Sequence, residues 1–304
     1  MNRRIGRVLA AGLLLAGIAA CSDSGEADDS GAMRTVETAK GPVEVPADPE
    51  RVVVLDAGEL DNTLALGVTP VGAVTTAVDS EFLGYLGDRT DGIETVGTIT
   101  EPNLEKIAAL DPDLILSSKT RHDDVYGQLS DIAPTVLTEA VGYPWKDNFR
   151  LQAEALGLGE EADQLMADYD KRTEEVGEQL PDQAVVSLVR FVPGETRLYS
   201  DKSFSGVILN DVGAGVPKAA KGADTFIGLS PEKLGLADAD YILTSTYGAA
   251  DDTDQADVTS SGLWANLAAV KDGRTAAIDD DLITGIGILA ANGFLDELER
   301  AFSG

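Results

Sequence analysis

The central stretch of the chain, from Trp145 to Leu180, constrains the fold more than any other segment. Apolar residues recur in it at helical spacing, and strong helix formers fill most other positions. Pro181 ends the pattern, because a helix rarely continues into a proline, and Gly157 and Gly159 predict a kink or a break. Strand and helix patterns alternate on both sides. The sequence therefore predicts an α/β protein with two α/β lobes joined by a single long α-helix, and a functional cleft between them.

This division gives the predicted segments of the chain. They are a lipoprotein signal peptide at 1–21, a flexible tether at 22–35, an N-terminal α/β lobe at 36–144, the linker helix at 145–181 and a C-terminal α/β lobe at 182–304. A chain of 304 residues is long enough for two compact lobes of this size.

The two lobes carry an internal repeat. Asp113 and Asp240 lie 127 residues apart, and each is followed by an apolar strand pattern. Glu105 and Glu232 have the same separation, and each lies at the start of a short helical pattern. One repeat of this length indicates two lobes of related topology, since a solenoid needs many short repeats.

The first residues are typical of an exported lipoprotein. Arg3, Arg4 and Arg7 precede an apolar run that is too short to span a bilayer comfortably, and small residues then lead to Cys21. We expect Cys21 to be lipidated and to anchor the protein on the extracytoplasmic face of the cell membrane. Because it is the chain's only cysteine, disulfides, cysteine metal sites and cysteine nucleophiles are excluded. Arg3 and Arg4 alone do not decide between Sec and Tat export.

Charge and motif content exclude several classes of function. The chain has 53 Asp and Glu residues and 23 Lys and Arg residues, which gives a net charge of −30. This charge argues against a nucleic-acid partner, because phosphate backbones are bound by Lys and Arg. The chain lacks the GxSxG and HExxH motifs, so no enzyme is predicted. His122 is the only histidine, which disfavours bare zinc or manganese capture, and neither a resident metal nor a cofactor is expected.

From about Thr35 to the C-terminus, the chain resembles a known family. The matching motifs, in order, are RVVVLDAGELDNTLALGVTPVG, VGTITEPNLEKIAALDPDLILSSKTRHDDVYGQLSDIAPTV, PWKDNFRLQAEALG, SFSGVILNDVG, LSPEKL and LWANLAAVKDGRTAAID. The family is that of the substrate-binding lipoproteins of iron–siderophore ABC importers, related to the ferrichrome, ferric enterobactin and cobalamin binding proteins. The resemblance implies two Rossmann-like lobes joined by a single long, rigid α-helix, little hinge motion and one ferric chelate in a shallow cleft. Such a protein is expected to be a monomer that hands its ligand to a permease dimer.

The resemblance also implies two docking residues. In the family, one glutamate on each lobe docks into arginine pockets of the permease dimer, and by motif these match Glu105 and Glu232. The internal repeat pairs the same two residues independently. Glu101 is the alternative in the first lobe. A carboxylate at a helix start is also favoured by the helix dipole alone, which is the purely structural explanation for both residues.

The ligand site is expected to combine cationic donors with aromatic walls, because ferric siderophores are bulky, polar and often anionic. The candidate ligand contacts lie at or after strand ends and at the linker entry: Arg190, Trp145, Lys119, Arg121, Phe191, Tyr199, Phe204 and Tyr247. Trp264, inside a short amphipathic pattern, is assigned to the core, and His122 to a polar position at the cleft mouth.

Several ligands remain open at this stage. A hydroxamate or citrate–hydroxamate siderophore is favoured by similarity around SKTRHDDVYGQL, and the cationic candidates favour an anionic chelate over cobalamin. Haem would need an axial His or Tyr. A surface scaffold or adhesion lipoprotein is the alternative outside the binding class, but it would not explain the repeat.

Overall fold

The computed structural model describes residues 32–76 and 81–302 of the chain. The predicted signal peptide, Cys21 and most of the tether lie outside these residues. An antiparallel hairpin of β1 (Met33–Thr38) and β2 (Gly41–Pro46) begins the described part. Because β1 starts at Met33, regular secondary structure begins inside the segment 22–35 that was predicted to be a tether.

The N-terminal lobe is built on a parallel sheet. Its strands are β3 (Val52–Val54), β4 (Gly72–Thr75), β5 (Glu94–Thr98), β6 (Leu114–Ser118) and β7 (Thr135–Thr138), in the order β5-β4-β3-β6-β7. Its helices are α1 (Ala57–Ala65), α2 (Leu104–Ala109), α3 (Lys119–His122) and α4 (Tyr126–Ser130). Strands β3, β4, β6 and β7 are buried along their whole length because both faces of the sheet are covered.

The predicted linker helix is two helices, α5 (Trp145–Leu156) and α6 (Gly159–Gly177). Gly157 ends α5 in the left-handed conformation, with φ at 80°, and its N–H bonds back to the carbonyls of Ala153 and Glu154. This is a glycine C-cap, which a residue with a Cβ would adopt only under strain. The segment is helical as predicted, but it is not a single helix, and the break lies at the glycine that the sequence marked.

The C-terminal lobe contains the second sheet. Its strands are β8 (Val186–Val192), β9 (Glu195–Tyr199), β10 (Phe226–Gly228), β11 (Tyr241–Thr246) and β12 (Thr275–Ala277), in the order β10-β9-β8-β11-β12. Its helices are α7 (Phe204–Asp211), α8 (Gln255–Thr259), α9 (Ala268–Lys271), α10 (Asp280–Gly285) and α11 (Ile288–Phe302). No helix in the described ranges is both long and apolar enough to cross a bilayer.

The internal repeat predicted from the sequence corresponds to three strands of each sheet that share the same order and direction. Strand β6 lies between β3 and β7, and β11 lies between β8 and β12, with parallel pairing in every case. The other halves differ, because β8, β9 and β10 are antiparallel. Only Pro193 and Gly194 separate β8 from β9, and two residues can form a hairpin turn but not a parallel crossover.

One apolar cluster runs through both lobes and the linker. It joins core residues of both sheets to the buried faces of α5, α6 and α11. Trp145 lies at its centre, fully buried, with its ring edge-on to Tyr169 of α6 and Phe204 of α7 at centroid distances of 5.2 and 5.6 Å. A second cluster, which includes Trp264, fills the outer face of the C-terminal sheet, so Trp264 is a core residue as predicted.

A buried cap ties helix α11 to helix α1 of the other lobe. The carboxylate of Asp61 accepts from the backbone N–H groups of Leu289 and Ala290, both at 2.8 Å, and Asn62 Oδ1 accepts from Ile288 N–H at 3.0 Å. The first N–H groups of any helix lack partners within the helix. Here α1 supplies them, so the start of α11 is held by the N-terminal lobe.

We predict that Gly157→Ala destabilises the protein by roughly 1–3 kcal/mol. An alanine at this position would have to adopt a positive φ, which L-residues rarely do. Its Cβ would also collide with the guanidinium of Arg34 and would lie 2.9 Å from the carbonyl oxygen of Ala47. Urea unfolding, followed by circular dichroism, measures the loss. Gly159→Ala is the matched control, because no atom lies within 4 Å of that Cβ and the backbone there is helical. Equal stability of the two variants would contradict the capping role of Gly157.

Candidate functional site

A cleft of about 430 Å³ lies where the carboxyl ends of the parallel strands of the two sheets face each other. The N-terminal lobe contributes residues that directly follow its strands, including Asp56 after β3 and Thr100 after β5. The C-terminal lobe contributes β8, the antiparallel strands β9 and β10, and α10. Ligands of open α/β sheets characteristically bind in a crevice at this edge, so the topology itself selects the cleft as the candidate site.

Most of the predicted ligand contacts meet in this cleft. Those that line it are Arg121, Arg190, Tyr199, Phe204 and Tyr247. The structure therefore brings together cationic and aromatic side chains from both lobes, which was the predicted character of the site. Whether these residues contact a ligand remains a prediction.

Arg190 is held in place by protein groups on every side. Its Nε donates to Asp280 Oδ1 at 2.7 Å, Nη2 donates to Asp280 Oδ2 and to Thr284 Oγ1, and Nη1 donates to the Tyr199 hydroxyl at 3.0 Å. Its guanidinium also lies 4.9 Å from the centre of the Tyr247 ring. A guanidinium has five N–H groups, so these contacts leave Arg190 little capacity to bind a ligand directly. Its evident role is to position Tyr199 and Tyr247.

The other two arginines in the cleft are also paired with carboxylates. Arg121 Nε donates to Asp56 Oδ2 at 2.8 Å, and Arg197 Nε donates to Glu195 Oε2 at 2.7 Å. Arg197 also lies 4.2 Å above the ring of Phe226. Among the residues that the structure describes, no hydrogen bond involves the Nη groups of Arg121 or of Arg197, so both arginines keep cationic donors available in the cleft.

Three predicted contacts lie elsewhere. Trp145 and Phe191 are fully buried, and Lys119 pairs with Glu139 at 2.8 Å outside the cleft. Phe191 follows Arg190 on the same strand, and successive side chains of a strand point to opposite faces. Lys119 and Arg121 lie two apart on helix α3, and residues at that spacing do not share a helix face. These three assignments are therefore corrected: Trp145 and Phe191 are core residues, and Lys119 is a surface residue.

Three charged or aromatic residues that line the cleft were not predicted from the sequence: Arg197, Phe226 and Asp56. Arg197 and Tyr199 are two apart on β9 and share a face, so the strand period could have identified Arg197 once Tyr199 was selected. Phe226 lines the cleft because it pairs with Tyr199 between the adjacent strands β9 and β10. No local sequence pattern predicted β10. Asp56 is the N-cap of α1, a role that its position before an apolar helix could have indicated.

His122 supports the cleft wall from behind. The residue is only 3% exposed. Its Nε2 donates to the carbonyl of Ile99 at 2.9 Å, and its Nδ1 lies 2.7 Å from the Ser117 hydroxyl, from which it accepts when the ring is neutral. Burial is the main cause that lowers the pKa of His122, which favours this neutral form. Because Ile99 lines the cleft, His122 fixes the wall from outside the ligand space.

A buried carboxylate lies beneath the floor of the cleft. Glu59 is 2% exposed and accepts from Gln152 Nε2 of helix α5 at 3.1 Å. Burial, followed by the charge of Asp56, raises the pKa of Glu59 to about 8. A carboxyl group in this position is therefore protonated more readily than an exposed one, and it adds little negative charge below the site near neutral pH.

Comparison with known proteins places this architecture in a family. Residues 52–282 match the family model described as periplasmic binding protein. The chain belongs to the periplasmic binding protein family. The family resemblance inferred from the sequence motifs is thereby confirmed, as is the two-lobed α/β fold class.

Several named proteins are similar to this periplasmic binding protein. The probable siderophore-binding lipoprotein YfiY of Bacillus subtilis is 40% identical to it, with 94% of each chain covered. The Fe(3+)-citrate-binding protein YfmC of the same organism is 31% identical, with 88% of this chain and 86% of the relative covered. The crystal structure of Staphylococcus aureus SirA complexed with staphyloferrin B superposes with a TM-score of 0.81 at 32% identity, covering 89% of this chain and 98% of that chain. All three are named for binding, or for a bound ligand, and none for catalysis.

We predict that Glu59→Gln removes a pH dependence of stability. The pKa of Glu59 in the folded protein is above the value of an unfolded glutamate, so the folded state binds the extra proton and loses stability as pH rises from about 4.5 to about 8. From about pH 5.5 to about pH 8.5, the free energy of unfolding of the wild type should fall by on the order of 1–3 kcal/mol more than that of the variant. Unfolding titrations at both pH values measure the difference.

Glu174→Gln, at an exposed position on α6, is the control for this change. It should follow the wild-type pH profile. If Glu59→Gln also follows that profile, Glu59 is not the group that titrates in this range.

Proposed function

We propose that the protein captures a ferric siderophore outside the membrane and delivers it to an ABC permease for iron uptake. The observation that carries the proposal is the 40% identity to a probable siderophore-binding lipoprotein, along 94% of both chains. The cleft agrees with this function, because it combines arginines from both lobes with tyrosine and phenylalanine rings. Guanidinium groups and aromatic faces are the chemistry that recognises a bulky chelate with oxygen ligands.

The charge balance of the cleft favours a ferric hydroxamate or citrate–hydroxamate over a catecholate. Each arginine of the cleft already has a carboxylate partner: Asp56 for Arg121, Asp280 for Arg190 and Glu195 for Arg197. The site therefore offers hydrogen-bond donors without a large excess of positive charge. A chelate of low net charge suits such a site better than a strongly anionic one, which would face the paired carboxylates at close range.

Alternative ligands of the same fold are less well supported. Haem would need an axial His or Tyr. Both ring nitrogens of His122 are engaged within the protein and the Tyr199 hydroxyl accepts from Arg190, so Tyr247 is the remaining candidate for an axial ligand among the described residues of the cleft. Cobalamin is less well supported because the similar proteins are named for siderophores or for ferric citrate. A function as a surface scaffold or adhesion lipoprotein would not explain why arginines and aromatic rings line the cleft.

The proposal extends to the membrane and to the permease. Cys21 would carry the lipid anchor, in keeping with the lipoprotein names of relatives such as YfiY, and the protein would work as a monomer. Glu105 and Glu232 would dock to the two halves of the permease dimer. Both side chains are exposed, one in the first turn of α2 and one in the 3-10 helix Pro231–Ala237. A hydrogen bond from the Ser230 side chain is the main cause that lowers the pKa of Glu232, so this residue is ionised when it meets a cationic partner.

We predict that ferric hydroxamates or citrate–hydroxamates quench the tryptophan fluorescence of the purified protein at micromolar concentrations, with weaker effects from ferric catecholates, haem and cobalamin. Trp145 can report binding because it packs on Phe204, which lines the cleft. If no ferric chelate quenches the fluorescence or binds by calorimetry, the proposed function is wrong.

We predict that Arg197→Gln weakens binding of the preferred chelate by roughly 10- to 100-fold, as expected for loss of charge-assisted hydrogen bonds. Arg274→Gln is a matched control. Arg274 also pairs with a carboxylate two residues earlier, Asp272, and also lies over an aromatic ring, Tyr241, but it does not line the cleft. Equal losses in both variants would mean that Arg197 acts on folding and not on the ligand.

We predict that Glu105→Ala combined with Glu232→Ala leaves chelate affinity unchanged but abolishes uptake of radiolabelled ferric chelate by cells. Glu160→Ala combined with Glu161→Ala is the control, because these residues are also exposed carboxylates at a helix start. The control should transport normally. Normal uptake by the Glu105 and Glu232 double variant would refute the docking assignment.

A further inference from the structure

An acidic groove continues from one end of the cleft. It has a volume of about 670 Å³, is formed by the end of β11, the loop after it and the start of α10, and shares Thr76, Tyr247 and Thr284 with the cleft. Because the lining is shared, a single ligand can occupy both spaces. The groove is thus an extension of the candidate site and not a separate surface feature.

The charge of the groove is opposite to that of the arginines in the cleft. Its ionisable lining residues other than Tyr247 are Asp252, Asp279, Asp280 and Asp281, and no Lys or Arg is among its lining residues. Asp280 is neutralised by Arg190, and Asp281 accepts from the backbone N–H of Gly84. Asp252 and Asp279 are exposed, so their negative charge faces the groove without a paired cation among the described residues.

A buried hydroxyl group beneath the groove has no hydrogen-bond partner among the described residues. Ser245 is 3% exposed, lines the groove, and its Oγ makes no hydrogen bond to any described residue. It is the parallel neighbour of Arg190 in the sheet, so both side chains project from the same face, and Arg190 reaches Asp280 and Thr284 of the groove wall. An unsatisfied buried polar group costs about 1–3 kcal/mol, and a polar ligand group or a bound water in the groove would relieve this cost.

The arrangement suits an organic cation better than a metal ion. Within the described ranges, no set of three or more His, Cys, Asp or Glu side chains is close enough to hold a metal. The groove instead offers separated carboxylates and hydroxyl groups, such as that of Thr246, which donates to Gln255 and keeps its lone pairs available. A protonated primary amine carries three N–H donors and no acceptor, and it matches acceptors spread over such a wall.

We propose that the groove is a second subsite, which binds a protonated amine on an arm of the ferric chelate while the iron centre occupies the cleft. The inference rests on the proposed function and makes it more specific. The preferred ligand would then carry a ferric centre of low negative charge at one end and an ammonium group at the other. Arg121 and Arg197 would contact the ferric centre, and Asp252 and Asp279 would contact the ammonium group.

The test compares chelates that differ only at the amine. A ferric trihydroxamate with a free terminal amine is titrated against its N-acetylated form, and a ferric citrate–hydroxamate with a free amine against its N-acetylated form, using the full-length protein in detergent. At least one amine-bearing chelate should bind about threefold to tenfold more tightly than its acetylated partner, as two partly exposed ion pairs would provide.

Two variants assign this preference to the groove. Asp252→Asn combined with Asp279→Asn should bring the ratio of the two affinities close to one, and asparagine retains the capping ability of Asp279 at the start of α10. Asp251→Asn is the control, since Asp251 is an exposed neighbour of Asp252 that does not line the groove, and it should keep the ratio.

The outcomes separate the two levels of the proposal. Binding of the chelates with no preference for the amine would overturn the subsite and leave the proposed function standing. A preference that persists in the double variant would also overturn the subsite. If neither pair of chelates binds, the subsite fails, and if ferric catecholates do not bind either, the proposed function fails with it.

Discussion

The arrangement of the two lobes depends on the cap that Asp61 and Asn62 form on the first turn of helix α11. Helix N-termini are usually capped by a residue of their own chain segment, one position before the helix. Here the acceptors come from the middle of α1, more than two hundred residues earlier in the sequence. Gly287 is required beside them, because a Cβ there would collide with the Asp61 carboxylate. The cap therefore fixes the C-terminal helix against the first lobe through directional, buried hydrogen bonds.

This fixation explains why the cleft can be assembled from separate strand ends. Arg121 and Asp56 belong to one lobe, while Arg197 and Tyr199 belong to the other, and a loose hinge would let their separation vary. The continuous apolar cluster around Trp145 and the polar cap at α11 act on the same junction. Large closure on ligand binding would have to break both, so a binding site whose shape exists before the ligand arrives is the natural consequence.

The sequence predicted the elements of the fold well where local patterns decide them. Strand β6 follows Asp113, where an apolar strand pattern was predicted, and the break in the linker occurs at a glycine that the pattern marked. The site was only partly predictable. Arg190 was identified correctly as a residue of the cleft, but Phe191 beside it was not separated from it, although strand alternation alone would have done so. Trp145 could not be placed from its neighbours, because its burial depends on Tyr169 and Phe204, which lie far along the chain.

The pairing of every arginine in the cleft with its own carboxylate has a consequence for the kinetics of ligand capture. With a formal net charge of −30, the chain repels anions at long range, and the paired arginines contribute little net field to offset this repulsion. An anionic chelate must therefore approach against an unfavourable potential before it reaches the short-range donors of the cleft. Dissolved salt shortens the range of that potential, with a Debye length of about 8 Å at physiological ionic strength. The encounter rate should accordingly rise with ionic strength, the reverse of the behaviour of proteins that attract their ligands by opposite charge.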